Sequence, residues 1–507
     1  MNTAAMTSAL RAWVHSATLH NDPVRAAEAA AGAVASVPWD VVQFAGSLAR
    51  AEMRYAATDL GLTPDFRQRP VHHPAVVVRI EKGAPFPSWD ANGKRLRGAF
   101  DTPIVMTQET VRMALEAAQK KVISGLDPAC GTGAFLVALK EAGLEQIEGF
   151  ELDPRAAVVA QVAAPSARVV IGDGFTLSGT ADVVVGNPPF IPPERQDKAL
   201  RSQLKKNHPW LRGRFDIAVP FAATAVERAH SGGGVALVLP ASLMTQPYAI
   251  PLRQRWLHAH HIRSITHQTA FPGAAVQVVS LSLTKDAGPA TLPHYGVSAA
   301  SVLSLQAAPL NPQLRPGDPE LVARIRSQSI PLGTLATIDT GVVSHGTAGG
   351  KAALVHETPT KDRVPYVDAR DLIQNKTRWL DYRPEVMHRA KSPELFEHPK
   401  VLVQRLRGRG PVRAWVDRSG LYAGHTLTVI RPHPDTITPE IIHSLITDPL
   451  IDGLLRIENG TRLDLYPKDV RSIPIPKCWS AHPGRSLAEA WDLTASEIER
   501  LSGFHLG

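Results

Sequence analysis

The chain has almost no cysteine. Only Cys130 and Cys478 occur among 507 residues, far apart and without metal-ligand spacing, which excludes a disulfide framework and leaves no metal site to expect. No apolar run approaches the roughly 20 residues that span a bilayer, and Met1 to Leu10 lack the basic start and apolar core of a secretory signal. A cytoplasmic protein with no membrane partner is therefore expected. There is no internal repeat and no low-complexity tract, so a solenoid or a disordered tail is not indicated.

What is present is ordinary globular material, 44% hydrophobic and 20% charged, long enough for two domains with appendages. Basic residues exceed acidic ones by eight, a surplus that suits a polyanionic partner. Residues 1–94 hold an alanine-rich stretch, Val24 to Val34, and a second helical candidate, Trp39 to Ala57; they read as a helical N-terminal extension without chemistry. From Lys121 short apolar runs alternate with helical periodicity. Strands are expected at Val122–Leu126, Gln146–Phe150, Ala167–Ile171, Asp182–Val185, Val235–Leu239, Ile262–Thr266 and Val276–Leu283. Helices fit between them at Ala134–Ala142, Pro154–Ala163 and Asp216–His230. Such alternation predicts an α/β fold, a doubly wound and mostly parallel seven-stranded sheet over residues 95–300, whose ligands bind beyond the strands' carboxyl ends. The proline-rich, irregular interval from Ala287 to Pro319 is the linker candidate, bounded as residues 301–330, and a mixed α+β domain is expected over 331–507. In that domain the run Val401 to Arg409, if extended, puts Arg405, Arg407 and Arg409 on one face with Arg413 nearby. The face is either a solvated basic edge or a stripe that contacts phosphates.

The most telling segment is Val183-Val184-Val185-Gly186-Asn187-Pro188-Pro189-Phe190. Three valines suit a buried strand, and the two prolines fix φ and remove two amide donors. Asn187 offers a side-chain carbonyl, Pro188 a main-chain carbonyl and Phe190 an aromatic face. Two acceptors beside a ring match a planar amino group, as on a nucleobase or a primary amide. A plain turn followed by a core phenylalanine has the same letters; the neighbouring strand tips favour the first reading. Asp127-Pro128-Ala129-Cys130-Gly131-Thr132-Gly133 turns the first strand into the first helix, with glycines that let a ligand approach the backbone. Leu136 stands where a dinucleotide fingerprint needs a third glycine. The second strand ends in Glu151-Leu152, where a carboxylate can accept both ribose hydroxyls. The third ends in Asp173-Gly174-Phe175, an acceptor for an adenine amino group beside a ring that can pack on it. A pocket for an amino-acid carboxylate, a ribose and an adenine without phosphate fits S-adenosylmethionine.

On these residues the chain resembles the class I S-adenosylmethionine-dependent methyltransferases and, within them, the gamma-class DNA amino-methyltransferases that form N6-methyladenine. The resemblance spans 95 to about 285. It includes Gly98 to Pro103, where Phe100 and Thr102 would border the methionine end. It continues through Phe215-Asp216, Gly232 to Gly234, Leu239-Pro240-Ala241-Ser242 and Phe271-Pro272-Gly273. It implies a catalytic set of Asn187, Pro188, Pro189, Phe190 and Phe271. The implied cofactor-binding set is Phe100, Thr102, Asp127, Ala129, Gly131, Gly133, Glu151, Leu152, Asp173, Gly174, Phe175 and Asn187, with no metal. Leu332-Gly333, Ile338, Gly341, Tyr422 to Thr426 and Arg462-Leu463 through Ile473-Pro474-Ile475-Pro476 resemble the target-recognition domains of restriction-modification enzymes. The implied partners are double-stranded DNA, bound in part through Arg405, Arg407, Arg409 and Arg413, and a separate cognate restriction endonuclease. Cytosine-N4 methylation, protein-glutamine or RNA methylation, and a non-enzymatic DNA specificity protein remain the alternatives.

Overall fold

A computed structural model describes residues 102–503 apart from single residues and short stretches, chiefly parts of 153–165, 269–276 and 347–352. The expected N-terminal extension 1–94, Phe100 and Phe271 lie outside the described residues. The chain divides into two compact units, with the boundary between Leu303 and Ser304.

The first unit is built on seven strands, β1 (Ser124–Asp127), β2 (Gln146–Glu151), β3 (Arg168–Ile171), β4 (Ala181–Gly186), β5 (Ala229–Pro240), β6 (His261–Gln268) and β7 (Val278–Thr284). All seven sit where the apolar runs predicted them. Their order in the sheet is β3-β2-β1-β4-β5-β7-β6. The first five run parallel, while β7 runs antiparallel to both β5 and β6. Between β1 and β4 the order reverses, and a crevice opens beyond the strand ends at such a reversal. Val183, Val184 and Val185 are fully buried, as a central strand covered on both faces requires.

The described helices of the first unit include α1 (Ile104–Ala117), α2 (Ala134–Glu141), α3 (Lys198–Asn207), α4 (Ala218–Glu227) and α5 (Ile250–Ala259), of which α1, α2, α4 and α5 pack on its strands. The expected helix at 154–163 lies largely outside the described residues, with Ala157 and Ala160 helical and buried. The α4 sequence AVPFAATAVE is apolar nearly all round because it is buried all round except at Glu227. α1 packs on β5 so closely that a Cβ at Gly234 would stand 1.9 Å from the Ala114 carbonyl oxygen. Gly232, at φ +76°, lies in the irregular stretch of β5 that precedes this approach.

The second unit contains a four-stranded antiparallel sheet in the spatial order 414–417, 400–404, 427–432, 336–340. A smaller mixed sheet runs 355–356, 378–380, 364–367, 422–423. Helices at Pro439–Ile446, Pro449–Asn459 and Ala495–Ser502 complete it. The linker expectation for 301–330 is corrected. Asp318–Ser327 is a helix, and Leu305, Leu310, Leu314, Leu321, Val322 and Ile325 are buried. Prolines punctuate this interval without loosening it, because a leucine-rich face still finds a core. Strand pairing also ties Ser329–Pro331 to Pro474–Pro476.

Gly234→Ala is expected to destabilise the first unit by about 2–4 kcal/mol, since backbone, not a flexible side chain, blocks the added methyl. Urea unfolding followed by tryptophan fluorescence measures it; an unchanged midpoint would overturn the close approach.

Candidate active site

The strand tips of the first unit bring the glycine turn and the Asn-Pro-Pro-Phe segment together. Asp127 ends β1 fully buried, and its Oδ1 accepts the Ala129 N–H at 2.9 Å. A Cβ at Gly186, the last residue of β4, would lie 2.8 Å from that same Oδ1. Glycine is therefore required one residue before Asn187. Burial, helped by the nearby Glu151 charge and opposed by the Ala129 N–H, pushes the Asp127 carboxyl up to about 8. Its Oδ2 is buried and meets no hydrogen-bond partner among the described residues.

Gly131 and Gly133 hold φ values of +53° and +90°, which only glycine adopts at little cost. The two serve different needs. A Cβ at Gly133 would press on Ala160 at 2.9 Å, whereas no described residue lies within 4 Å of one at Gly131. Glu151 accepts the Gly131 N–H at 2.9 Å and so braces this turn from the tip of β2. Leu152 beside it is 47% exposed, an apolar surface at the same edge. Asp173 accepts the Phe175 N–H at 3.0 Å, and the Phe175 ring meets Phe221 edge-on at 4.9 Å. Gly174 is packed against Pro128, whose carbonyl oxygen would be 2.2 Å from an added Cβ. Cys130 is buried in the turn, and burial pushes its thiol up, so it is a packing residue and no nucleophile.

Asn187 stands half-buried just beyond β4, and its Nδ2 donates to Thr102 Oγ1 at 3.0 Å. That bond orients the amide, with Oδ1 as the edge turned away from Thr102. Pro188 and Phe190 are buried and Pro189 is partly exposed. Two residues that sequence reasoning did not assign a role fix the end of this segment. Asp216, at the start of α4, accepts the N–H groups of Ala218 and Ile191; burial nevertheless lifts its carboxyl to about 6. Gln196 Nε2 donates to the carbonyls of Ile191 and Phe215, both at 2.7 Å. Both backbone groups of the residue after Phe190 are thus held by side chains. An aspartate opening an apolar helix was the available signal for the first; a polar residue inside a charged run gave none for the second.

The arginine stripe is corrected. The strand stops at Gln404, because Arg405 turns inward, donating to the His425 carbonyl at 2.7 Å with its guanidinium 5.1 Å from the Tyr466 ring centroid. Arg407 and Arg409 lie outside the described residues, and Arg413 is exposed before the next strand. Of the second-unit residues that the sequence singled out, Arg462 and Leu463 lie outside the described residues, and several others are hydrogen-bonded neighbours. Val342 donates to the Ala423 carbonyl at 2.8 Å, Gly341 to Leu427 at 3.1 Å and Leu332 to Ile473 at 2.9 Å. A Cβ at Gly341 would sit 2.1 Å from the Ala423 carbonyl oxygen. Among the described residues there is no metal-binding cluster and no helix long and apolar enough to cross a membrane.

Raised by burial, Asp127 favours the fold when protonated: its contribution is complete below about pH 4 and is lost as pH rises through about 8. Asp127→Asn should remove that dependence, so wild type loses on the order of a few kcal/mol relative to the variant between about pH 5 and 9. Thermal melts across that range without added cofactor check it, and parallel curves would sink the assignment.

Residues 146–271 match the model of the Eco57I restriction-modification methylase family. The chain is 25% identical over 352 residues to the type II methyltransferase M.TthHB8I of Thermus thermophilus, covering 65% of this chain and 79% of that protein. In fold it is similar to the type IIL restriction-modification enzyme MmeI, solved in complex with DNA, at a TM-score of 0.54 and 13% identity over 100% of this chain and 95% of that one. The DrdV–DNA complex gives 0.52 at 12% identity, covering 92% of this chain and 71% of that one. The match over 146–271, the Thermus relative and the seven-stranded sheet together make this chain similar to DNA methyltransferases of restriction-modification type.

Proposed function

We propose that the chain moves a methyl group from S-adenosylmethionine to the N6 amino group of an adenine turned out of duplex DNA. One observation carries this reading: Asn187-Pro188-Pro189-Phe190 leaves the sheet where strand order reverses, against Asp127 and the glycine turn. The cofactor, when bound, supplies an electrophilic methyl on a sulfonium. The donor set suits it. Carboxylates at Glu151 and Asp173 match a ribose and an adenine, exposed Leu152 offers apolar cover, and the buried Asp127 Oδ2 calls for a donor such as an ammonium. Thr102 sits next to Asn187, which accounts for both motifs bordering one pocket.

An aromatic amine is a poor nucleophile because its lone pair is delocalised into the ring. The protein's task is orientation. Acceptance of the two amino hydrogens by Asn187 Oδ1 and the Pro188 carbonyl turns the nitrogen lone pair out of conjugation and stabilises the charge that develops on nitrogen. A neutral amide is sufficient, because the methylated amine is acidic and loses its proton afterwards. Phe190 and Phe271 supply faces for the base, whose unstacking costs a few kcal/mol against roughly 1–3 kcal/mol per stacked ring. The second unit then reads sequence, and a separate endonuclease is the expected companion of such an enzyme.

Incubation with DNA and labelled cofactor, followed by nucleoside mass spectrometry, is expected to yield N6-methyladenine; N4-methylcytosine as sole product would overturn the adenine assignment. Asn187→Ala should lower turnover by at least about 10²–10³-fold with cofactor affinity within threefold of wild type, roughly the loss of one preorganised polar group. Retained turnover would refute the role given to the amide.

A further inference from the structure

Between Ile191 and Phe215 only Gln196 takes part in the candidate site. Residues 192–214 carry seven cationic side chains and two carboxylates, a surplus of five in a chain whose total is eight. One carboxylate, Glu194, pairs with Arg214 at 2.5 Å, and the other, Asp197, caps α3 by accepting the Ala199 N–H. On α3 the buried Leu204 faces inward. Lys198, Arg201, Lys205 and Lys206 span an arc of about 140° at 100° per residue, and Leu204 lies outside it. Lys198, Lys205 and Lys206 are exposed and Arg201 partly so, and among the described residues none of the four pairs with a carboxylate. Like charges spaced three and four apart weaken a helix by a few tenths of a kcal/mol per pair, and solvated helix faces normally interleave acids to avoid it. Here no acid interrupts them.

The segment is also fastened. Gln196 bridges its two ends through Ile191 and Phe215, and the Ile217 N–H donates to the Ile191 carbonyl at 3.1 Å. At its far end Arg255 of α5 lies 5.4 Å from the Trp210 ring centroid. An unneutralised cationic face therefore begins eight residues after Phe190, in a segment fastened at Ile191 and Phe215.

We infer that the basic face of α3 binds the sugar-phosphate backbone of nucleic acid beside the nucleotide held at Asn187–Phe190, a contact surface belonging to the catalytic unit itself. The inference rests on the DNA-methylation reading. Each phosphate neutralised releases counterions, so four cations steepen the salt dependence of binding without adding sequence preference.

The test uses the full chain and a fluorescein-labelled duplex of about 40 base pairs and mixed sequence, titrated at several salt concentrations. The variant Lys198→Ala/Arg201→Ala/Lys205→Ala/Lys206→Ala is expected to bind roughly tenfold or more weakly, with a log–log salt slope shallower by about 3. Its melting temperature and S-adenosylmethionine affinity should stay at wild-type values. Lys198→Arg/Lys205→Arg/Lys206→Arg should keep wild-type binding, since charge and not shape is at issue. Wild-type affinity and slope in the alanine variant would overturn the surface while leaving the methylation reading standing. A wild-type chain that neither binds nor methylates duplex DNA would overturn both.

Discussion

The site depends on the approach of Gly186 to the Asp127 carboxyl. Parallel pairing of β1 with β4 forces these two tips side by side, and 2.8 Å between a notional Cβ and Oδ1 leaves no room for any other residue. From this junction the chain departs in opposite senses, into the glycine turn on one side and into two prolines on the other. Proline cannot donate back to a sheet, so the second path must leave it. At the junction itself the Asp127 carboxyl stays fully buried, at a cost to its charged form.

Around this junction, groups remote in sequence remove freedom from the Asn-Pro-Pro-Phe segment. Thr102 holds the Asn187 amide from 85 residues upstream. Asp216 and Gln196 take both backbone groups of Ile191, and Glu151 braces Gly131 from the neighbouring strand. Catalysis that works by aligning a lone pair gains from such rigidity, since misplacement by about 1 Å can cost two orders of magnitude in rate. The same bonds anchor the basic segment that follows, so the proposed surface for phosphates and the proposed seat for the base share one mechanical origin.

The second unit organises its charges differently. Lys400 and Asp417 form a buried ion pair, and Arg378 lies against Asp368 and Asp371. Gly424 sits so tightly against Asp368 and Tyr366 that a Cβ would be about 2 Å from their oxygens, namely 2.0 and 2.2 Å. These charges are spent inside the fold, and Arg405 follows them inward. The surplus positive charge of the chain is instead concentrated after Phe190, where the alternation of apolar runs had drawn no helix.

By itself the sequence determined the seven strands, their mostly parallel class and the strand-tip position of the candidate site. β-Branched runs such as Val183–Val185 and glycine turns such as Gly131–Gly133 are local signals, legible over a few residues. It also marked Phe215-Asp216 and the Gly232–Gly234 cluster as significant without saying why. Tertiary structure alone decided that Gly234 yields to α1, that Asp216 holds Ile191 and that Gln196 closes the basic segment. It also decided that Arg405 turns in and that a proline-rich interval is core and not linker. Each depends on which backbone passes within about 3–4 Å of another, a distance between residues far apart in the chain, and periodicity reports only the face a residue buries, never the partner it buries against.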